Sequence, residues 1–299
     1  MNLPKILNLT SAVLKSRAEY ALIAFTLPSV IGFVISSAGP LSISQFIKLV
    51  VAVTSVAYSI YLNNDLWDLE DDIRYLHLGK PSAAMRPLAQ GLISKKGMKL
   101  YVAFFAILGL SSALLINIQA FLAQLGFLMI GYAYSIEPIK LKKRFIVKYI
   151  TLASGAVLSI FTGGFASGGV TGRLLFFVVI SFVIYFGLGS LNDLRDFKWD
   201  KENGIRSFPV VLGPKITVRL MLSVLFGVMA GFILGYYQFG FNIAFPVLGL
   251  IILAGWSYSI YPLFYRYEDE SFVKKVVVKR TYPFWMMLLL TILLGSFKF

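Results

Sequence analysis

Nine apolar runs, each long enough to cross a bilayer, set the terms for this chain. They lie at roughly 20–37, 46–63, 99–117, 119–136, 147–166, 173–191, 216–237, 240–264 and 280–297. A hydrocarbon core of ~30 Å needs about 20 apolar residues of helix, because lipid satisfies no backbone hydrogen bond. Only 14% of the 299 residues are charged, against about 25% in soluble domains, and mean hydropathy is +0.78. A soluble enzyme and a disordered chain are both excluded. The sequence predicts an all-α, polytopic membrane protein: one domain, 1–299, with nine transmembrane helices in a bundle. Cysteine is absent and His77 is the one histidine. That leaves no disulfide, no thiolate chemistry and no histidine-built metal site.

Basic residues set the expected orientation. With the N-terminus in the cytoplasm, 25 of the 28 Lys and Arg fall on cytoplasmic segments, and Lys48, Arg173 and Lys298 are the remainder. The positive-inside rule then puts the C-terminus outside and the long loops 64–98, 137–146, 192–215 and 265–279 in the cytoplasm. The same asymmetry accounts for most of the +14 charge. Membrane lipid headgroups are its expected partners, nucleic acid is not needed to explain it, and no obligate protein partner is evident.

Acids are distributed quite differently. Of 14 carboxylates, five fall within 65–72 and four within 193–202. The first stretch is Asn64-Asp65-Leu66-Trp67-Asp68, continuing to Asp72. The second is Asn192-Asp193-Leu194-Arg195-Asp196, continuing to Asp200. Both read N-D-L-x-D-x-x-x-D, ungapped, 128 residues apart, and each begins at the same end of an apolar run. Positions i, i+4 and i+8 share one helical stripe. The stripes are therefore Asn64, Asp68, Asp72 and Asn192, Asp196, Asp200. Facing each other, they gather four carboxylates and two amide oxygens, hard ligands suited to Mg²⁺. Asp65 and Asp193 lie about 100° round the helix, placed to point at a metal through water, to hold a lysine, or to act as a base. Trp67 and Trp199 read as interface markers, Glu70 and His77 as solvated residues, and Asp71 as an auxiliary ligand.

These paired motifs resemble those of the UbiA superfamily of intramembrane prenyltransferases, and other segments extend the likeness. Met85-Arg86-Pro87-Leu88-Ala89-Gln90-Gly91 resembles the family's R-P-[LI]-x-x-G. Tyr134-Ser135-Ile136-Glu137-Pro138-Ile139-Lys140-Leu141-Lys142 is similar to its Y-S-x-x-P-x-x-L-K form, and Ser207-Phe208-Pro209-Val210-Val211-Leu212-Gly213 to T-x-P-[VL]-x-x-G. The likeness runs from about residue 17 to the C-terminus. Two departures stand out: Asp72 and Arg86 are 14 residues apart, longer than usual, and no lysine sits four after the tyrosine. Lys140 is the better match, with Lys142 as substitute.

The resemblance implies a cytoplasmic-side active site that transfers a polyprenyl group, geranylgeranyl by expectation, from its diphosphate to a lipophilic acceptor. Mg²⁺ held by Asn64, Asp68, Asp72, Asn192, Asp196 and Asp200 would clamp the diphosphate. Arg86, Lys140, Lys142 and Tyr134 would bind it, and Asp193 or Asp65 would take the acceptor's proton. Geranylgeranylglyceryl phosphate, in ether-lipid synthesis, is the first-choice acceptor. An aromatic acceptor such as 4-hydroxybenzoate is the alternative. A cation-coupled transporter is the competing class, disfavoured because transporter sites lie near the bilayer midplane and these acids sit at one face.

Overall fold

The computed structural model describes residues 3–77, 86–202 and 204–297, with side chains from residue 8. Among these residues nine helices are long and apolar enough to span a membrane. They are α1 (Asn8–Ser36), α2 (Ile43–Trp67), α3 (Lys95–Leu114), α4 (Ile118–Ser135), α5 (Val147–Ala166), α6 (Gly172–Arg195), α7 (Pro214–Phe239), α8 (Ala244–Arg266) and α9 (Glu270–Ser296). No strand occurs among the described residues. The helices overrun the apolar runs chiefly at one end. Polar residues continue a helix there once it has left hydrocarbon, so α2 and α6 carry their acidic motifs as helix rather than as loop.

The chain alternates between two ends of the bundle. At the end opposite the motifs, turns are short and helix starts are capped by side chains. Asn117 Oδ1 accepts from Ala120 N at 2.8 Å and Thr171 Oγ1 from Leu174 N at 3.1 Å. Arg173 sits among helix C-termini there. Its Nε donates to Phe239 O and its Nη1 to Ser296 O, both at 2.9 Å. One guanidinium thus satisfies the exposed carbonyls closing α7 and α9, where the helix dipole is negative.

Two apolar cores divide the bundle. One gathers Leu49, Val53, Val56, Met98, Phe127 and neighbours from α1–α5. The other gathers Phe177, Leu225, Phe232, Trp256, Leu288 and neighbours, mostly from α6–α9. The junction is tight where α1 crosses α5. A Cβ at Gly163 would overlap the Ser29 carbonyl, so a glycine permits that approach.

Two helices are locally widened. Leu22–Thr26 in α1 and Lys275–Thr281 in α9 form π-helical turns. Proline follows each, at Pro28 and Pro283, and has no N–H to donate four residues back. In α1 that position is Ala24, whose carbonyl accepts from the Tyr185 hydroxyl of α6. Thr26 Oγ1 returns to Ala21 O at 3.0 Å, and Thr281 Oγ1 to Val276 O at 3.1 Å. Side chains thereby answer backbone groups that lipid cannot.

Candidate active site

The two acidic motifs have the same backbone. Asp68 and Asp196 each adopt φ −97°, ψ 10°, a bend between the end of a spanning helix and a short following one. Those short helices are Leu69–His77 and Phe197–Glu202. The i→i−4 ladder nevertheless runs through both bends. Asp68 N donates to Asn64 O at 2.9 Å and Asp72 N to Asp68 O at 2.8 Å. In the second copy Asp196 N donates to Asn192 O at 3.1 Å and Asp200 N to Asp196 O at 2.8 Å. Each Asn-Asp-Asp stripe survives, bent at its middle aspartate.

The two short helices come together, although the gathering of four carboxylates expected from the sequence is not formed among the described residues. The Tyr75 and Trp199 rings, one from each short helix, lie 4.6 Å apart, and the Arg74 guanidinium stands 4.8 Å from the Trp199 centroid. Burial pushes the Tyr75 hydroxyl's pKa up, and nearby Asp196, Asp71, Asp200 and Asp68 raise it further, so carboxylates of both motifs surround it. Tyr134 is within electrostatic reach of Lys148, Asp193, Asp68 and Asp200. Trp199 therefore packs against the short helix that follows the first motif. Trp67, Glu70, Asp71 and His77 are exposed.

Around the first motif, basic groups cover the acids. Asn64 Oδ1 accepts from Ser135 Oγ at 2.6 Å and from Lys142 Nζ at 3.4 Å, while Lys142 also pairs with Asp68. Asp72 is buried and pairs with Arg86. The long 72–86 link thus still returns its arginine to the motif; residues 78–85, with Met85, lie outside the described residues. Asp65, 1% exposed, pairs with Arg17 of α1.

Lys140 is the position where the structure departs from the expected order. Its Nζ lies 2.7 Å from Glu137, a half-exposed partner at the rim. Lys140 is in the left-handed region at φ 35°, and the 3₁₀ turn Leu141–Lys143 that follows aims Lys142 at the acids. Burial holds the Lys142 and Arg86 cations below their ordinary pKa values, with Asp68 pulling Lys142 back up. Desolvated cations of this kind gain from an additional anion.

The second motif is held from α5. Asp193 Oδ1 takes Lys148 Nζ at 2.5 Å, and its Oδ2 takes the Tyr149 hydroxyl at 2.5 Å. That hydroxyl accepts from Phe208 N at 2.7 Å, and the Tyr149 and Phe208 rings stack at 4.2 Å. The Ser207–Gly213 segment is thereby fastened to the motif. Arg17, Lys148 and Tyr149 are functional candidates that sequence reasoning did not single out. The signal was available for the two cations, each basic at the motif end of an apolar helix. Of the roles open to Asp65 and Asp193, holding a cation is the one the geometry displays.

Asp196 is bound bidentately by Arg195, at 3.1 and 2.8 Å. Asp200 differs from all of these. It is buried, its Oδ2 has no hydrogen-bond partner, and the Ser207 hydroxyl lies near it outside hydrogen-bonding geometry. Burial pushes its carboxyl up to about 6. A buried carboxylate oxygen without a partner fits a cation ligand. No three acids among the described residues stand together as a ready cage. Mg²⁺ does not require one, since it binds through one or two carboxylates with water and phosphate oxygens.

Two cavities open below the motifs. One, of about 160 Å³, is reached at Asn64 and lined by Arg17, Ala57, Tyr61, Phe127 and Tyr134. The other, of about 190 Å³, is reached at Asn192 and lined by Tyr20, Ile23, Leu188, Trp256 and Trp285.

A nine-helix bundle with paired Asn/Asp stripes, desolvated cations above them and apolar cavities beneath defines an intramembrane prenyltransferase. The chain belongs to the UbiA prenyltransferase family, whose profile matches residues 25–294. Digeranylgeranylglyceryl phosphate synthase of Sulfolobus acidocaldarius is 27% identical over 269 residues, which cover 89% of this chain and 91% of that one. The synthase of the same name from Methanocaldococcus jannaschii is 31% identical over 199 residues, 64% of each chain. A UbiA homologue from Archaeoglobus fulgidus, solved bound to DMAPP and Mg²⁺, shares the fold. Its TM-score is 0.77 at 24% identity, over 95% of this chain and 97% of that one.

Proposed function

We propose that this enzyme transfers a geranylgeranyl group from its diphosphate to geranylgeranylglyceryl phosphate, with Mg²⁺, at the cytoplasmic face of the membrane. The acceptor reading is carried by relatives named digeranylgeranylglyceryl phosphate synthase along nearly the whole chain. The orientation, N-terminus inside and C-terminus outside, is supported by the basic asymmetry. In this reading Asn64, Asp68, Asp72, Asn192, Asp196 and Asp200 hold Mg²⁺, which when bound neutralises charge on the leaving diphosphate.

The remaining chemistry falls to named side chains. Lys142 and Arg86 turn from Asp68 and Asp72 toward diphosphate oxygens, and the Tyr134 hydroxyl donates beside them. Lys140, fastened to Glu137, acts at the rim. Asp65 and Asp193 position Arg17 and Lys148. Since both carboxylates are committed to cations, the acceptor's proton leaves with the pyrophosphate instead. The acceptor oxygen bonds to C1 as the C1–O bond to diphosphate breaks.

The test supplies purified protein, in nanodiscs with Mg²⁺, with geranylgeranyl diphosphate and either geranylgeranylglyceryl phosphate or 4-hydroxybenzoate. Mass spectrometry should find the twice-geranylgeranylated lipid. Prenylation of 4-hydroxybenzoate alone would refute the acceptor assignment.

A further inference from the structure

Two cavity lobes meet along a common wall. Phe25, Tyr61 and Leu152 line both. Each cavity meets the polar end at the asparagine of one motif. A reaction joining two isoprenoid-bearing lipids has two chains to house, and a single apolar channel would make them compete. We propose that the cavities divide the chains, the donor's lying beneath Asn64 and the acceptor's beneath Asn192, with Tyr61 at the seam where the ends meet. This rests on the reaction proposed above.

Charge decides which chain goes where. A prenyl diphosphate carries more negative charge than a phosphate monoester, and cations crowd the first side. Arg17 lines that cavity, Lys142 contacts its mouth residue Asn64, and Arg86 pairs with Asp72. At the second mouth the polar groups are Asn192 and the hydroxyl residues Tyr20, Thr281 and Tyr282. Arg195, paired with Asp196, is within electrostatic reach of both tyrosines, and Glu19 is within reach of Tyr282. This mouth is therefore the less positive of the two, which suits the less charged headgroup, a phosphate monoester.

The seam suits the reacting carbon. Tyr61 precedes Asn64 by three residues, so it sits one helical turn below the head-group level. Its ring lies 6.2 Å from Phe25, which lies 4.7 Å from Phe127. An allylic carbon developing positive charge there meets aromatic faces.

Cavity-filling variants test the division. Ala57 lines the first cavity alone and Ile23 the second alone. Geranylgeranyl thiolodiphosphate, an uncleavable donor, is titrated with Mg²⁺ into nanodisc-embedded protein without acceptor, and acceptor KM is measured separately. Ala57→Leu should raise donor Kd about tenfold, the scale of 1.4 kcal/mol, and leave acceptor KM within about twofold. Ile23→Phe should do the reverse. Ala57→Ser, which adds almost no volume, should bind donor like wild type and so separates filling from misfolding. The division is overturned if Ala57→Leu leaves donor binding unchanged, or if Ile23→Phe weakens it. Wild-type protein that binds donor but leaves geranylgeranylglyceryl phosphate unprenylated would instead refute the acceptor assignment, with the donor titration still deciding the first cavity.

Discussion

Three neighbouring lysines, Lys140, Lys142 and Lys143, carry the same charge on one short segment, and the structure gives them different tasks. Lys142 is mostly buried against Asn64 and Asp68. Lys140 pairs with Glu137 at the rim, and Lys143 is exposed. If Lys142 binds the diphosphate, Lys142→Gln removes a hydrogen bond between charged groups, worth about 1.5–3 kcal/mol. That is a roughly 10- to 150-fold loss of donor affinity. Lys140→Gln breaks only a solvent-screened pair at the rim, so its loss of donor affinity should stay below about fivefold. Lys143→Gln reports general attraction alone. The assay is calorimetric titration of geranylgeranyl thiolodiphosphate at fixed Mg²⁺. Lys142→Gln also frees Asp68, so Mg²⁺ binding without donor should be retained, and its loss would indicate a damaged fold. Equal small effects at all three positions would rule out a diphosphate contact at Lys142 and assign the segment to lipid attraction. A dominant effect at Lys140 would mean that its contact with Glu137 yields to substrate.

Other consequences follow from the same geometry. Asp68→Ala or Asp196→Ala should each lower pyrophosphate release about 100-fold or more by removing a metal ligand, while exposed Glu70→Ala stays near wild type; EDTA should stop turnover and Mg²⁺ restore it. Arg17→Met leaves Asp65 charged and unpaired at 1% exposure, a loss of about 3–5 kcal/mol that should lower the melting temperature; adding Asp65→Leu should recover most of it. Tyr149→Phe cuts both the bond to Asp193 and the one from Phe208 N; a loss of about 1.5–3 kcal/mol should appear in thermal unfolding, and turnover should fall with it. Because native cysteine is absent, Glu70→Cys and Ile243→Cys can be labelled from either side; Glu70 should react from the cytoplasm and Ile243 from outside, and the reverse pattern would invert the topology.

Spanning helices were legible because lipid imposes a length and a composition that show in one dimension. Their edges were less so: α1, α2 and α9 extend beyond the apolar runs, since a helix in water needs no hydropathy to continue. The acidic stripes were legible because ladder spacing alone aligns Asn64, Asp68 and Asp72, and even the bend at Asp68 left that alignment intact. The partners of those acids were not. Arg17 lies 48 residues from Asp65, and Lys148 lies 45 from Asp193. No local pattern links residues so far apart.

By itself, then, the sequence determined an all-helical membrane bundle with a duplicated acidic motif, because periodicity and apolar length are properties of consecutive residues. Tertiary structure alone decided which cation meets which acid. A left-handed residue at Lys140 and one 3₁₀ turn set Lys142 against Asp68 and Lys140 against Glu137, a rotation that composition does not encode. It also decided that the space beneath the motifs has two lobes. Their shared wall of Phe25, Tyr61 and Leu152 comes from three different helices, and only packing brings those residues together.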